Sequence, residues 1–268
     1  MKRNISCVVI ALLASGLAAA WTVVDTFEGY STGDLNTVAG PAWSEVANTG
    51  YSPAAVIGTD SGNQYLTVKP DAGKTPALTN DPAGTVKLDI TTIANSDTAT
   101  TLFARIRADA VTTNTSFGLS VLGTQWTTDN FSFGNFQAQI RVNSATIAGV
   151  VTPVFNVRNG GAFTANYALT QGQWYNVWAV INISTDKYDV YLTTGNNDPT
   201  NPADILYSQL NNSFRVASTS DLVAFLAISQ GSKALPNNNQ VSFDDIYISN
   251  GSNLAIPEPA SMLLLGLG

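Results

Sequence analysis

The stretch Gly172–Thr193, GQWYNVWAVINISTDKYDVYLT, leaves this chain few choices of fold. From Trp174 to Ile183 the odd positions are Tyr175, Val177, Ala179, Ile181 and Ile183, an unbroken apolar series. The even positions, Trp174, Asn176, Trp178, Val180 and Asn182, mix aromatic and amide groups. A repeat of two is what an extended strand gives when one side faces a core, because successive side chains point to opposite faces. Ser184-Thr185-Asp186 is short and turn-prone, and Lys187–Thr193 resumes the alternation with Tyr188, Val190 and Leu192 on one side. Two such runs joined by so few residues predict a β-hairpin.

The same reading finds strands elsewhere. A short one opens at Trp21, and further candidates are Gln64–Val68, Thr85–Ile90, Thr100–Arg107, Ser116–Leu122, Phe131–Val142 and Val150–Val157. After the hairpin come Ile205–Leu206, Leu222–Ser229 and Gln240–Ser249. Gly, Pro, Asn and Asp clusters separate nearly all of them, residues 36–63 read as loop, and Gly195–Pro202 reads as an inserted surface loop. No long amphipathic helix is evident. About a dozen short strands with regular turn signals predict an all-β sandwich or barrel. No shift in composition divides residues 21–254, which are expected to form one domain.

The N-terminus has the form of an export signal. Lys2 and Arg3 supply the positive start, Val8–Leu17 the apolar stretch and Ala18-Ala19-Ala20 the small-residue cleavage site, so residues 1–20 are expected to be removed. Cys7, the one cysteine, leaves with them. The exported chain then has no thiol and no disulfide, and its stability must come from a large core. Removing Lys2 and Arg3 from the 12 cations leaves 10 against 19 acids, a net charge of −9. A sparse, acidic surface lacks the basic footprint that nucleic acid or anionic lipid requires. No nucleic-acid partner is expected.

Pro257-Glu258-Pro259, followed by Ala260-Ser261 and the apolar Met262–Gly268, resembles the PEP-CTERM sorting signal of exported bacterial proteins. The resemblance implies that residues 255–268 are a sorting tail, an incomplete one, since its seven apolar residues fall short of the about 20 that cross a bilayer. It also implies an exosortase-type processing enzyme as partner, with membrane contact only transient and made through the tail.

The order of parts between these ends resembles the concanavalin A-like (laminin G-like) jelly rolls. The residues that carry it are Asp25-Thr26-Phe27-Glu28 near the start, the GQWYNVW…YDVYL hairpin late, and Val241–Ile248, VSFDDIYI, as closing strand. The resemblance implies an antiparallel jelly-roll β-sandwich of the concanavalin A-like lectin/glucanase type. Two sheets, one of them concave, and adjacent first and last strands go with it.

Catalytic groups are scarce. The chain has no His, which removes Ser-His-Asp and Cys-His arrangements and histidine-containing zinc sites. Glycoside hydrolysis needs two positioned carboxylates. Hydrolases of this sandwich type place them as E-x-D-x-x-E on one strand, and Glu28, Glu45 and Glu258, the three glutamates, form no such run. No catalytic residue is therefore assigned. A hydrolase or lyase using Asp189 and Tyr191 with Arg141 is the alternative.

A carbohydrate-binding face is one candidate site. Trp174 and Trp178 share a strand face about 13 Å apart, and Asn176, Asn182, Asp189 and Tyr191 are expected beside them. Gln137, Gln139 and Arg141 alternate with Phe136, Ala138, Ile140 and Val142, and Arg105 and Arg107 with Leu102, Ala104 and Ile106. Rings, amides and guanidiniums on one sheet would stack on and hydrogen-bond a polysaccharide. The competing assignment buries both tryptophans under loops as a satellite core. For metal, Asp25, Glu28, Asp34, Asp244 and Asp245 come from ends the fold would join, and such hard oxygen donors suit one structural Ca2+. Asp244 and Asp245 are adjacent, so alternation would point one of them away. The expected function is that of an exported, non-enzymatic surface or extracellular-matrix protein associated with exopolysaccharide. A purely structural matrix protein is the remaining alternative.

Overall fold

Strands form where the sequence alternates. In chain order they are Trp21–Asp25 (β1), Gly33–Asp34 (β2), Trp43–Glu45 (β3), Ala55–Asp60 (β4), Asn63–Val68 (β5), Pro82–Ile93 (β6), Thr100–Ala108 (β7) and Asn114–Ser120 (β8). Phe136–Ile147 (β9), Val150–Asn159 (β10), Ala162–Phe163 (β11), Tyr167–Ala168 (β12), Trp174–Asn182 (β13), Lys187–Thr194 (β14), Tyr207–Ser213 (β15), Leu222–Gln230 (β16) and Val241–Asn250 (β17) follow. They belong to a computed structural model that describes residues 20–38, 43–45, 55–69, 82–111, 113–121, 133–230 and 240–257. The α-helix among these is the single turn Leu35–Val38. Among the described residues, no helix is long and apolar enough to cross a membrane.

Two antiparallel sheets result. The first runs β15-β14-β13-β7-β17-β5-β4-β2, with β1 also paired to β17. The second runs β11-β10-β9-β8-β16-β6-β3, with β12 against β10. The expected hairpin is present: Tyr175 faces Thr194 and Asn182 faces Lys187 across β13 and β14. Its turn is closed by the Asn182 side chain, whose Oδ1 accepts from the Thr185 N–H, and by Asp186 at φ 53. The expected adjacency of first and last strands holds as well, with Trp21 opposite Ser249.

The core lies between the sheets. Val177, Ile181, Val190, Leu102, Ile106 and Phe243 of the first sheet meet Ile140, Val142, Phe155, Phe117, Leu119 and Phe225 of the second, all buried. Phe243 makes edge contacts with Phe117 at 5.3 Å and Phe225 at 5.9 Å between ring centroids. Each fully buried side chain of this size contributes about 1.5–3 kcal/mol, which is how the fold stands without a cross-link.

Three details differ from the sequence reading. Residues 36–63 include β3 and β4, and Ile205–Leu206 precedes β15 rather than forming a strand. Phe136 is not in the main core. The β8–β9 pairing slips between Leu119 and Ser120, which makes Gln137 an extra residue. That bulge turns Phe136 to the outer face, against Ala224, Leu226 and Ile228.

Candidate functional site

The outer faces of the two sheets decide where a ligand could sit, and they are built from different residues. On the first sheet, Trp174, Asn176, Trp178 and Tyr191 do share a face, as alternation required, since Ala179, Val177 and Tyr175 belong to the core. Around Trp178 that face is covered by the protein itself. Trp178 is fully buried in a cluster with Phe103 and Tyr247, and Leu254 and Ile256 of the C-terminal segment pack over them. The segment is tied down by Gly251 N–H to Ala99 O (2.7 Å), Asn253 N–H to Thr101 Oγ1 (2.9 Å) and Asn253 Nδ2 to Ser249 Oγ (3.1 Å). Trp174 is held by cations: the guanidiniums of Arg105 and Arg107 lie 5.3 Å and 4.7 Å from its ring, and Arg107 is also 4.5 Å from Tyr65. Asn176 is buried and spends its amide on Gly195 O at 2.9 Å. Tyr191 is half-buried at the edge of the Trp178 cluster.

Trp174, Trp178 and Asn176 therefore have structural duties, and Trp178 offers no open stacking surface. The expected single surface joining them to Gln137, Gln139 and Arg141 does not exist either, because β13 is in one sheet and β9 in the other. The same separation divides Asp189 and Tyr191 of β14 from Arg141 of β9, which dissolves the alternative catalytic set. Asp189 Oδ1 instead accepts the Asn211 N–H at 2.6 Å.

The outer face of the second sheet is different. Cross-strand pairing aligns Asn156 of β10, Arg141 of β9 and Ser116 of β8, and in the next row Gln139 with Gly118. Ser116 and Gln139 are buried and bonded to one another, Gln139 Nε2 to Ser116 Oγ at 2.8 Å. Arg141 Nε donates to Asn156 Oδ1 at 3.1 Å, and Asn156 Nδ2 to Asn166 Oδ1 at 2.7 Å. Arg215 arrives from a different direction. After β15 the chain crosses to the second sheet, with Phe214 N–H donating to Asp186 O and Arg215 N–H to Gln137 O, both at 2.9 Å. The crossing sets Arg215 Nη1 2.8 Å from Gln139 Oε1. Gln137 itself is the bulged residue. Its side chain accepts from Val121 N–H at 2.9 Å, so it supports the crossing rather than facing a ligand.

A pocket of about 310 Å³ opens here. Its polar wall is Asn114, Ser116, Gln139, Arg141 and Arg215, and Phe133 and Phe163 supply aromatic surface. Phe163 comes from β11, folded back by the Gly160-Gly161 turn so that it lies opposite Arg158. Arg158 holds that turn, Nε to Gly160 O at 2.8 Å and Nη2 to Gly161 O at 2.7 Å. Behind the pocket the Tyr188 hydroxyl reaches through the core to Gln139 O at 2.9 Å and also touches Arg158 O, fastening the first sheet to the floor of the site.

Its electrostatics are one-sided. Among the described residues, Arg105 pairs with Asp245 and Arg107 with Asp109 and Asp60, whereas Arg141, Arg158 and Arg215 form no ion pair. Burial, and after it the charge of Arg158, bring Arg141 down from 12.5 to about 10, and the same two causes lower Arg215. Sequence reasoning found Gln139 and Arg141 through their alternation. It missed Arg215 and Phe163, which sit in a crossover and a two-residue strand where no period exists to be read.

The residues expected to hold calcium do not make one donor set. Asp25 Oδ1 accepts Phe27 N–H at 2.7 Å, and its Oδ2 accepts Tyr30 Oη–H at 2.9 Å and Trp43 Nε1–H at 2.6 Å. Glu28 accepts the Gln64 N–H at 3.0 Å. Asp244 and Asp245 do not diverge: a bulge between Asp244 and Tyr247, with Asp245 at φ 49, brings both carboxylates to Arg105, at 3.9 Å and 3.3 Å. Among the described residues, no three acidic side chains form a group able to hold a metal ion.

Comparison with known proteins bears on the fold. No family model matches this chain, and no curated protein matches its sequence. A GH131 β-glucanase catalytic domain from Podospora anserina matches in structure over 88% of this chain and 100% of its own, at 13% identity and TM-score 0.50. The fold is the concanavalin A-like jelly roll. Other jelly-roll matches include lectin II from Ulex europaeus, over 80% of this chain and 94% of that one, at 11% identity and TM-score 0.48. A sialidase matches over 82% of this chain but only 18% of its own length, at 10% identity and TM-score 0.44. The neighbours of this jelly roll thus include both lectins and enzymes. Pro257 is buried at the end of the C-terminal segment and lines a 210 Å³ cavity with Phe103, Arg105 and Tyr247, while Glu258 and Pro259, expected to complete a sorting triplet, and residues 1–19, expected to be an export signal, lie outside the described residues.

Proposed function

We propose that this is an exported, non-enzymatic protein of the cell surface or extracellular matrix that binds polysaccharide on the outer face of its second sheet. The observation that carries the reading is the pocket between Arg141, Arg215, Gln139, Ser116 and Phe163. It combines buried, mutually bonded amide and hydroxyl groups with an aromatic wall and guanidiniums whose remaining N–H groups are available. Such a mixture of fixed polar groups and aromatic surface is what saccharide hydroxyls and ring faces require. Its described polar wall is amide, hydroxyl and guanidinium, which bind and orient but do not supply the paired carboxylates of glycoside hydrolysis.

Export and sorting are part of the same proposal. Strand β1 begins at Trp21, the residue that cleavage after Ala20 would make the N-terminus. At the other end, the Pro257-Glu258-Pro259 triplet is the signal that a processing enzyme of the exosortase type would read. The exported chain, incubated with a panel of neutral and acidic polysaccharides, tests the function. Retention of at least one, with no oligosaccharide released, is the expected result. Released oligosaccharides would contradict the non-enzymatic assignment, and a panel without a single binder would contradict the glycan assignment. Mass analysis of the exported protein is expected to find Trp21 as its first residue.

A further inference from the structure

We infer that the saccharide taken by this pocket carries carboxylate groups, so that the ligand is an acidic polysaccharide of the polyuronate class. The inference rests on the proposed carbohydrate reading and narrows it. Its basis is where this chain leaves positive charge uncompensated. After the export signal there are five arginines in a chain with an excess of acids. Two of them, Arg105 and Arg107, meet aspartates on the outer face of the first sheet. Of the other three, Arg141 and Arg215 line the pocket on the second sheet and Arg158 shares the Phe163 ring with Arg141, and among the described residues none of the three forms an ion pair.

Gathering like charges costs energy. The lowered proton affinities of Arg141 and Arg215, which burial and Arg158 cause, register that cost. Aromatic contact offsets part of it, since Phe163 lies against both Arg141 and Arg158. An anion between Arg141 and Arg215 would offset more.

The donors are placed for one. Arg141 uses Nε on Asn156, and Arg215 uses Nη1 on Gln139. Among the described residues, the Nη1 and Nη2 groups of Arg141 and the Nε and Nη2 groups of Arg215 have no hydrogen-bond partner. Planar guanidinium edges pair two-to-two with planar carboxylates. The 310 Å³ volume is of the size of a monosaccharide site rather than an extended groove. Neutral side chains line the rest, so that hydroxyl groups of the same sugar find Asn114, Ser116 and Gln139.

Calorimetric titration of the exported chain tests this with four probes: polygalacturonate, the same polymer after reduction of its carboxyl groups to alcohols, dextran sulfate and inorganic phosphate. The expected result is binding to polygalacturonate that falls at least about tenfold on carboxyl reduction and at least about tenfold in Arg141→Gln and in Arg215→Gln. Trp174→Ala, on the opposite sheet, is expected to leave it unchanged. Equal affinity for the reduced and unreduced polymers would overturn the carboxylate inference while leaving the carbohydrate reading in place. Equal or tighter binding of dextran sulfate, or competition by phosphate at millimolar concentration, would overturn it in favour of a general anion site. Binding to none of the polymers would overturn the acidic-polysaccharide inference, and the absence of any binder in the wider neutral and acidic panel would remove the carbohydrate reading itself. Thermal melts of each variant establish that a lost affinity is not a lost fold.

Discussion

The guanidinium of Arg141 lies 3.6 Å from the ring centroid of Phe163, and Arg158 lies 5.0 Å from the same ring. One phenyl group on a two-residue strand thus contacts two cations of like charge. A cation over an aromatic face gains about 0.5–2 kcal/mol, more where water is excluded. Phe163→Leu keeps apolar bulk and removes the π face, so it is expected to cost about 1–2 kcal/mol by urea denaturation and to weaken ligand binding, whereas Phe163→Trp retains both. Equal stability of the leucine variant would show that the ring does not hold the two arginines.

Gly118 lies opposite Gln139 in the β8–β9 ladder at φ 146. A Cβ there would come within 2.0 Å of Ala138 O, a contact no side chain tolerates. Gly118→Ala forces apart the two strands that carry Ser116 and Gln139. Backbone strain together with overpacking predicts a loss of about 3 kcal/mol or more. Loss of polysaccharide binding is expected even at temperatures where the variant stays folded. Differential scanning calorimetry with a binding assay on the same sample measures both.

Asp244 is almost fully buried, and burial first, then the charge of Asp245, lift it from 3.8 to about 7. The sign follows directly. The unfolded chain releases this proton near pH 4 while the folded chain keeps it until about pH 7, so stability is greatest below that window and falls as pH rises through it. Each unit within the window removes up to about 1.4 kcal/mol. Asp244→Asn is expected to flatten the fall between pH 4 and 7, as read from melting temperature against pH. Added Ca2+ is expected to leave the melting temperature unchanged at pH 8, because the nearby carboxylates already face Arg105, Asn63 and backbone N–H groups.

Leu254 and Ile256 roof the cluster of Trp178, Phe103 and Tyr247. Replacing both by Ser exposes apolar surface that alternation alone would leave open on the first sheet. A red shift of tryptophan emission and a loss of about 2–4 kcal/mol are the expected results. An unshifted spectrum would mean that Trp178 owes its burial to other residues.

How far the sequence could be read depends on what each feature needs. The β13–β14 hairpin was legible because every position follows a period of two, and the sorting of Tyr175, Val177 and Ile181 inward came with it. Arg141 and Gln139 were legible for the same reason. Alternation says which residues share a strand face, but it does not say which sheet a strand joins, so residues of β13 and β9 were grouped although they look out of opposite sides. Nor does it see what lies on a face. The roof over Trp178 comes from Leu254 and Ile256, more than seventy residues away in sequence. Two bulges defeated local reading outright, turning Phe136 outward and bringing Asp245 round beside Asp244.

The most direct test of the account compares two single variants, Arg141→Gln and Trp174→Ala, by calorimetric titration with whichever polysaccharide the chain from Trp21 onward retains. The account predicts at least about a tenfold loss of affinity in the arginine variant and none in the tryptophan variant. Full affinity without Arg141 would contradict it, and loss of affinity without Trp174 would contradict it by pointing to the first sheet.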